Sequence, residues 1–169
     1  MNEGVIKFNI RKHEKRELSD IDISDIEKVR NELYKMGLIG FYRELNLGFG
    51  NISKRINQNQ FIISGSQTGH ISELKKEHYS IITEADFKTN SVICIGMIEP
   101  SSESLTHAAF YNYSKNYNAV IHIHNLKIWE SLIQNNYLST PEDAEYGSEK
   151  LWLSIKGILE NNANKEALT

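Results

Sequence analysis

Short apolar runs alternate along this chain with segments of helical periodicity, and this alternation constrains the fold more than any other feature. Runs 52–56 and 60–64 flank the polar stretch Asn57-Gln58-Asn59, which predicts two paired strands. Further apolar runs at 92–97 and 119–124 predict two more strands. Because strands and helices are interspersed and several strands follow one another through turns, we predict a layered α/β domain, whose strand order the pattern leaves open.

Four segments carry helix signals. Residues 24–27 (Ser-Asp-Ile-Glu) predict a capping box, and Ile26, Val29, Leu33 and Met36 then mark one apolar face before Gly37 ends the helix. The Pro-Ser-Ser-Glu sequence at 100–103 predicts the start of a second helix. A third is predicted through Trp129 and Leu132, and a fourth is predicted to begin at Ser148 as its N-cap.

Length and composition fit one globular domain over residues 1–169. The formal net charge of -3 argues against a general nucleic-acid or membrane-surface binder, and the mixed-sign run 11–16 predicts a solvated face. The single cysteine, Cys94, allows no internal disulfide, and its apolar neighbours predict a buried thiol. No apolar segment approaches the roughly 20 residues needed to span a bilayer, so we expect a cytoplasmic protein.

Two histidines occupy alternate positions of the run Ala-Val-Ile-His-Ile-His at 119–124. In a strand, residues two apart share a face, so Ile121 and Ile123 are predicted to face the core and His122 and His124 to point together to the other side. Paired neutral imidazoles suit a zinc-like ion. A pair of polar residues on a solvent face fits the same spacing, so spacing alone leaves both interpretations open.

Ser101, Ser102 and Glu103 begin the second helix, where backbone N–H groups and hydroxyls can bind an anion such as phosphate. Glu103 could serve as a general acid/base or bind metal, whereas simple helix capping explains the same residues. His107 lies one turn further on the same face, which fits either a supporting role at the site or a structural histidine. Residues 50–53 and the glycine-bearing loop 64–69 offer further anion-binding chemistry, although ordinary turns use the same residue types.

Several of these motifs, in this order and spacing, resemble the class II aldolase/adducin family, in particular its fuculose-phosphate aldolase-like metal-dependent aldolases. The matching segments are residues 50–53 (Gly-Asn-Ile-Ser), 61–64 with the following glycine loop, 100–103 with His107, 119–124, and Tyr146-Gly147. The resemblance extends from about Leu33 to about Leu159. It implies a three-layer αβα sandwich with a central, largely antiparallel sheet, commonly assembled as a homotetramer.

The resemblance also implies a role for each matching residue. His122 and His124 would be metal ligands, with Zn²⁺ as the expected ion, and Glu103 would be the catalytic acid/base. The residues expected to bind substrate phosphate are Asn51, Thr68, Gly69, Ser101 and Ser102. The implied activity is metal-assisted aldol cleavage of a small sugar phosphate, in which the ion acts as a Lewis acid. A related epimerase or dehydratase, or a non-catalytic adducin-like interaction module, remains an alternative.

One departure from the family pattern concerns the third metal ligand. The resemblance implies a further histidine after the last predicted helix, yet no histidine follows His124 in this sequence. We therefore expect a chain that lacks the family's usual C-terminal strand and helix. Glu103, His107, a neighbouring subunit or water would then have to complete a ligand set that normally holds three protein groups.

Overall fold

A computed structural model describes residues 6–162, in which four α-helices are interspersed among eight strands. The helices are α1 (Ser24–Lys35), α2 (Ser104–Tyr113), α3 (Leu126–Gln134) and α4 (Glu149–Asn161). The strands are β1 (Asn9–Glu14), β2 (Gly40–Tyr42), β3 (Leu47–Phe49), β4 (Asn51–Arg55), β5 (Phe61–Ser64), β6 (Tyr79–Asp86), β7 (Ser91–Gly96) and β8 (Ala119–His122). No helix in residues 6–162 is long and apolar enough to cross a bilayer.

Six strands form the central sheet in the order β1-β7-β6-β5-β4-β8, and β2 and β3 form a separate hairpin. Strand β1 runs parallel to β7, whereas every other pairing in the sheet is antiparallel. The predicted pair of strands around residues 57–59 is β4 and β5, whose register joins Ser53 to Ile63. The α/β class and the largely antiparallel sheet expected from the sequence are therefore confirmed.

Each face of the sheet carries its own apolar cluster, and the two clusters define the layers. On one face, Ile52, Ile62 and Ile81 pack with Ile26 of α1. On the other face, side chains of β5, β6 and β7 pack with α2 and with Trp152 of α4. Alternation of side chains along each strand sends neighbouring residues to opposite layers, which produces the expected αβα sandwich.

Helix α1 differs from its prediction in two ways. The capping box is not formed, because Ile23 occupies the N-cap position and makes no side-chain capping bond. The buried face is also rotated: Val29 and Met36 are exposed, and Arg30 is buried beside Ile26. The predicted N-cap of α4 is confirmed, since the Ser148 side chain accepts a hydrogen bond from the Leu151 backbone N–H at 3.2 Å.

The predicted strand 119–124 is shorter than expected and lies at the edge of the sheet. It ends at His122, and Ile121 is 45% exposed although it shares a face with the buried Ile52. The prediction that Ile121 faces the core is therefore wrong, because no strand or helix of the described chain covers this edge. Four strands, β1, β2, β3 and β6, were not predicted, and β1 carries most of the charged run that indicated a solvated face.

Candidate active site

Strands β4 and β8 bring the first two predicted site residues together. In their antiparallel register Asn51 is the partner of His122, so both side chains lie on the face that carries α2. The Asn51 amide nitrogen lies 3.3 Å from Nδ1 of His122. Gly50 allows this approach, because its φ is +72° and an added Cβ would lie 3.0 Å from the carbonyl oxygen of His122.

Glu103 reaches the same point from the start of α2. Its buried carboxylate oxygen Oε2 lies 3.0 Å from Nδ1 of His122. The turn before α2 is fixed to the end of β5, since the Ser101 backbone N–H donates to the carbonyl oxygen of Ser64 at 3.2 Å. Ser101 Oγ accepts from the Glu103 backbone N–H at 3.3 Å within the turn, but the N-cap of α2 is Glu103, which makes no side-chain capping bond, so the predicted serine cap is not formed.

His124 lies just beyond the end of β8, and its ring centroid is 4.8 Å from that of His122. Its backbone N–H donates to the carbonyl oxygen of Leu38 at 3.0 Å, and its ring stacks on Phe49 of the β2–β3 hairpin with centroids 5.3 Å apart. The hairpin therefore fixes His124, and the two imidazoles are adjacent as the sequence spacing predicted.

The loop after β5 packs so tightly on the β2–β3 hairpin that only glycine fits at position 69. A Cβ there would lie 1.9 Å from the carbonyl oxygen of Gly40. On the other side of the contact, the Gly48 backbone N–H donates to Oε1 of Gln67 at 2.9 Å. The hydroxyl of Thr68 donates a hydrogen bond to the carbonyl oxygen of Gly65 at 2.9 Å. The loop therefore presents backbone and small groups close to the other segments.

A pocket of about 300 Å³ opens between these segments. All of the residues predicted for the site line it: Asn51, Thr68, Gly69, Ser101, Ser102, Glu103, His122 and His124. No lysine or arginine of residues 6–162 lines it, so the lining apart from Glu103 and the two histidines consists of uncharged groups. The tertiary structure thus joins in one place the motifs that the sequence carries some 70 positions apart, while their chemical roles stay predictions.

The charges in the pocket favour ionised Glu103 and neutral His124 at neutral pH. Burial by itself raises the pKa of Glu103, but the imidazoles around it, above all His122, outweigh burial and hold the pKa below its usual value. Burial lowers the pKa of His124 to about 4, assisted by His122 and opposed by Glu103. A carboxylate base and an unprotonated imidazole are the forms that proton transfer and metal binding need.

His107 lies behind Glu103 rather than in the pocket. It is fully buried, and its Nδ1 is 2.7 Å from the hydroxyl of Ser53, which is in turn 2.7 Å from the hydroxyl of Tyr111. Its Nε2 has no hydrogen-bond partner among the described residues. His107 is therefore a structural histidine of the α2 layer, one of the two roles that the sequence left open.

The side chains of the pocket include the chemical types that bind a divalent metal. Two adjacent imidazoles and one buried carboxylate are the ligands that zinc and related ions prefer. In the part of the chain that the structure describes, however, no group of three histidine, cysteine, aspartate or glutamate side chains is arranged to hold an ion. His122 and His124 could hold a metal, and the carboxylate of Glu103 is hydrogen-bonded to one of them.

Seven pocket residues were given no individual role from the sequence: Gly48, Phe49, Gly50, Gly65, Ser66, Gln67 and Tyr146. The Tyr146 hydroxyl is buried with no hydrogen-bond partner in residues 6–162, and Lys7 lies over its ring at 4.2 Å. The Tyr-Gly pair had been noted as a motif, and Gly147 explains its position: an added Cβ would lie 2.8 Å from the carbonyl oxygen of Ser102. A glycine at this contact holds Tyr146 against the start of α2.

The protein is an αβα sandwich in which a histidine pair on an edge strand meets the start of a helix from the next layer. The profile of the family described as "Class II Aldolase and Adducin N-terminal domain" matches residues 31–149. The chain therefore belongs to the class II aldolase/adducin family, whose enzymes generally depend on a divalent metal.

Two solved structures share this fold. L-fuculose 1-phosphate aldolase is 21% identical, with a TM-score of 0.60 over 84% of this chain and 68% of its own. YgbL from Klebsiella pneumoniae, assigned provisionally as an aldolase/epimerase/decarboxylase, is 15% identical, with a TM-score of 0.57 over 80% of this chain and 68% of its own. Comparison with curated protein sequences gave no match. At these identities the structural similarity establishes the fold.

Proposed function

We propose that this protein is a metal-dependent aldehyde-lyase that cleaves a small phosphorylated sugar by a retro-aldol reaction. The observation that carries the proposal is the convergence, in one pocket, of an acid/base carboxylate, a histidine pair and a set of uncharged anion-binding groups. Membership of the class II aldolase family and the likeness to a sugar-phosphate aldolase support it. An anion site and a proton-transfer group beside a metal site are the parts that this reaction requires.

The phosphate of the substrate would bind opposite the histidines. Asn51, Ser101 and Ser102 offer an amide, hydroxyls and backbone N–H groups before α2, and Thr68 and Gly69 offer the backbone of the facing loop. These groups would fix the substrate so that its carbonyl end points towards Glu103 and the histidine pair. Such orientation supplies a substantial part of the rate enhancement in reactions of this type.

Glu103 would move the proton. Its carboxylate is ionised at neutral pH because of the imidazoles around it, so it can accept a proton from a substrate hydroxyl as the carbon–carbon bond breaks. His122 and His124 would hold the divalent cation, which we propose is Zn²⁺ and which supplies Lewis-acid polarisation of the substrate oxygens when bound. Burial of Glu103 and His124 limits the access of water to the reacting groups.

Two further expectations belong to this proposal. A homotetramer would place each pocket next to a neighbouring subunit, and such a subunit could complete the metal ligand set. The cytoplasm is the expected compartment, because a chain with the single cysteine Cys94 can form no internal disulfide, which suits a reducing environment.

Metal content tests the proposal directly. Wild-type protein, His122→Ala and His70→Ala are purified without chelators and analysed by mass spectrometry of their metals. His70 is the control because its imidazole is exposed and does not line the pocket. We expect about one zinc, manganese or cobalt ion per chain in wild type and His70→Ala, and at least a tenfold loss in His122→Ala. A wild-type protein without bound metal would exclude the metal-dependent lyase.

The role of Glu103 is tested separately with Glu103→Gln, and with Glu99→Gln as an exposed control outside the pocket. The first variant should keep its metal and lose roughly 10²- to 10⁴-fold in aldol cleavage of candidate sugar phosphates, because an amide cannot accept the proton. The control should match wild type. Cleavage at the wild-type rate in Glu103→Gln would remove Glu103 from the catalytic role.

One observation favours a non-catalytic adducin-like interaction module as the second candidate. Within residues 6–162 the metal-ligating side chains do not form a group of three, whereas catalytic zinc usually has three protein ligands. Metal-free wild-type protein with an intact fold would favour this module. An epimerase or dehydratase would use the same pocket, and product analysis with each sugar phosphate separates these enzymes from a lyase.

A further inference from the structure

The proposed phosphate site has no positively charged side chain in its lining. A phosphate monoester carries about 1.5 to 2 negative charges at neutral pH, and Glu103 adds another negative charge to the same pocket. Hydroxyls and backbone N–H groups stabilise an anion better when a cation lies near. Besides the divalent cation proposed at the histidine pair, positive charge can reach this site from side chains that lie behind the lining residues.

Arg30 of α1 meets this condition. Its side chain is 1% exposed, and its guanidinium donates to the carbonyl oxygens of Thr68 at 3.3 Å and Ser72 at 2.7 Å. The same group lies 4.7 Å from the ring centroid of Tyr34. Among the described residues, no carboxylate forms an ion pair with Arg30. Its charge is therefore directed to the loop that bears Thr68 and Gly69, and no direct ion pair neutralises it.

We propose that Arg30 is a positioning residue of the phosphate site: it holds the Thr68–Gly69 peptide in place and supplies, from behind the loop, the positive charge that the lining lacks. The inference rests on the proposed function, because it assumes that the pocket binds phosphate. Thr68 contributes the carbonyl and Gly69 the N–H of one peptide group. A peptide whose carbonyl accepts a charge-assisted hydrogen bond is a stronger donor at its N–H.

Arginine suits this position better than lysine. The guanidinium fork spans two carbonyl oxygens at once, whereas an ammonium is a compact point charge. Burying the charge costs free energy, and burial lowers the pKa of Arg30, with Glu27 and two tyrosines opposing the shift. The carbonyl oxygens, the Tyr34 ring and the nearby Glu27 carboxylate stabilise this buried cation, and an anion on the far side of the same loop would stabilise it further.

A purely structural explanation is that Arg30 only ties the loop to α1. Glu27, one turn earlier on the helix, allows the two explanations to be separated. Its carboxylate accepts from the Leu74 backbone N–H and from the Tyr79 hydroxyl, both at 2.6 Å, so it ties the same segment to the same helix. Its charge is negative. Loss of Glu27 therefore loosens the segment without removing positive charge from behind the phosphate site.

The test measures the binding of inorganic phosphate by ³¹P NMR or calorimetry, at low and high ionic strength, together with unfolding by urea. The proteins are wild type, Arg30→Met, Arg30→Lys and Glu27→Gln. We expect phosphate to bind about tenfold more weakly to Arg30→Met, about threefold more weakly to Arg30→Lys, and at least as tightly to Glu27→Gln. The differences between variants should shrink at high salt, which a purely structural role would not cause.

Two results would overturn the inference. One is wild-type phosphate affinity in Arg30→Met; the other is equal weakening in Arg30→Met and Glu27→Gln, which would assign the effect to loop anchoring. If Arg30→Met does not fold, Arg30→Lys decides, and an unchanged dissociation constant in that variant refutes the positioning role. Failure of wild type to bind phosphate would instead refute the proposed phosphate site, so the two failures are distinguishable.

Discussion

Acidification should destabilise this protein through its buried histidine His107, and one substitution should remove the contribution of that residue. His107 is fully buried, makes its hydrogen bond to Ser53 and has an unpaired Nε2 among the described residues. Burial lowers the pKa of His107 to about 3, although the nearby negative charge of Glu103 by itself raises this pKa. In the unfolded chain the same imidazole titrates near the ordinary histidine pKa of about 6.5.

The direction of the pH effect on stability depends on whether the folded or the unfolded chain binds the proton at His107. Between pH 6.5 and pH 3 the unfolded chain is protonated at His107 and the folded chain is not, so acid favours unfolding. The stabilisation is fully present above pH 6.5 and is lost as the pH falls towards 3, at about 1.4 kcal/mol per pH unit. Between pH 7 and pH 5 this single group should lower the free energy of unfolding by about 2 kcal/mol.

Urea denaturation at pH 7 and pH 5 measures this difference in wild type, His107→Asn and Ser53→Ala. Asparagine places an amide near the position of Nδ1 and does not titrate, so His107→Asn should lose about 2 kcal/mol less than wild type on acidification. Ser53→Ala removes the hydrogen-bond partner but keeps the buried imidazole, and it should retain the wild-type acid sensitivity. Equal pH dependence in wild type and His107→Asn would refute the assigned burial of a neutral histidine.

Three further predictions concern stability at neutral pH, each measured by urea denaturation. Gly69→Ala should cost about 2 kcal/mol or more because its Cβ would collide with the carbonyl oxygen of Gly40, and a cost below about 0.5 kcal/mol would contradict the packing. Tyr146→Phe should change stability by less than about 1 kcal/mol because the hydroxyl it removes is unpaired within residues 6–162; a larger loss would show that the hydroxyl has a partner. Arg55→Met should cost about 2 kcal/mol because Arg55 donates to four carbonyl oxygens, two of them in the last turn of α2 and just after it. Arg55→Lys should recover less than half of that lost stability. Full recovery would show that the forked shape of the guanidinium is not needed at this position.

The local parts of this fold could be predicted because their signals lie in neighbouring residues. Alternation of apolar residues marked β4, β5 and β7, and Ser148 marked the start of α4. The predicted His-x-His pair is indeed adjacent, since the two-residue repeat of extended backbone places alternate side chains on one side. The motifs also sufficed to expect the family, which the match over residues 31–149 confirms.

Other parts could not be predicted because they depend on partners distant in the chain. The charged run at 11–16 gave no strand signal, yet residues 9–14 pair in parallel with β7. Arg30 could not be recognised as buried, since a helical wheel treats arginine as a solvent-facing residue. Its burial depends on carbonyl oxygens about 40 positions away. Ile121 is exposed for a related reason: its neighbours in sequence are apolar, but β8 lies at the sheet edge.

The sequence by itself determined the four helices, four of the eight strands of the described residues, the residue types available for chemistry and the family to which the chain belongs. These properties are local, because helix caps, turns and strand periodicity act over a few residues. Only the tertiary structure decided that Glu103 contacts His122, that the glycine loop closes the opposite side of the pocket, and that Arg30 lies behind that loop. These contacts depend on strand register and on packing between layers, which bring together groups that are far apart in the chain.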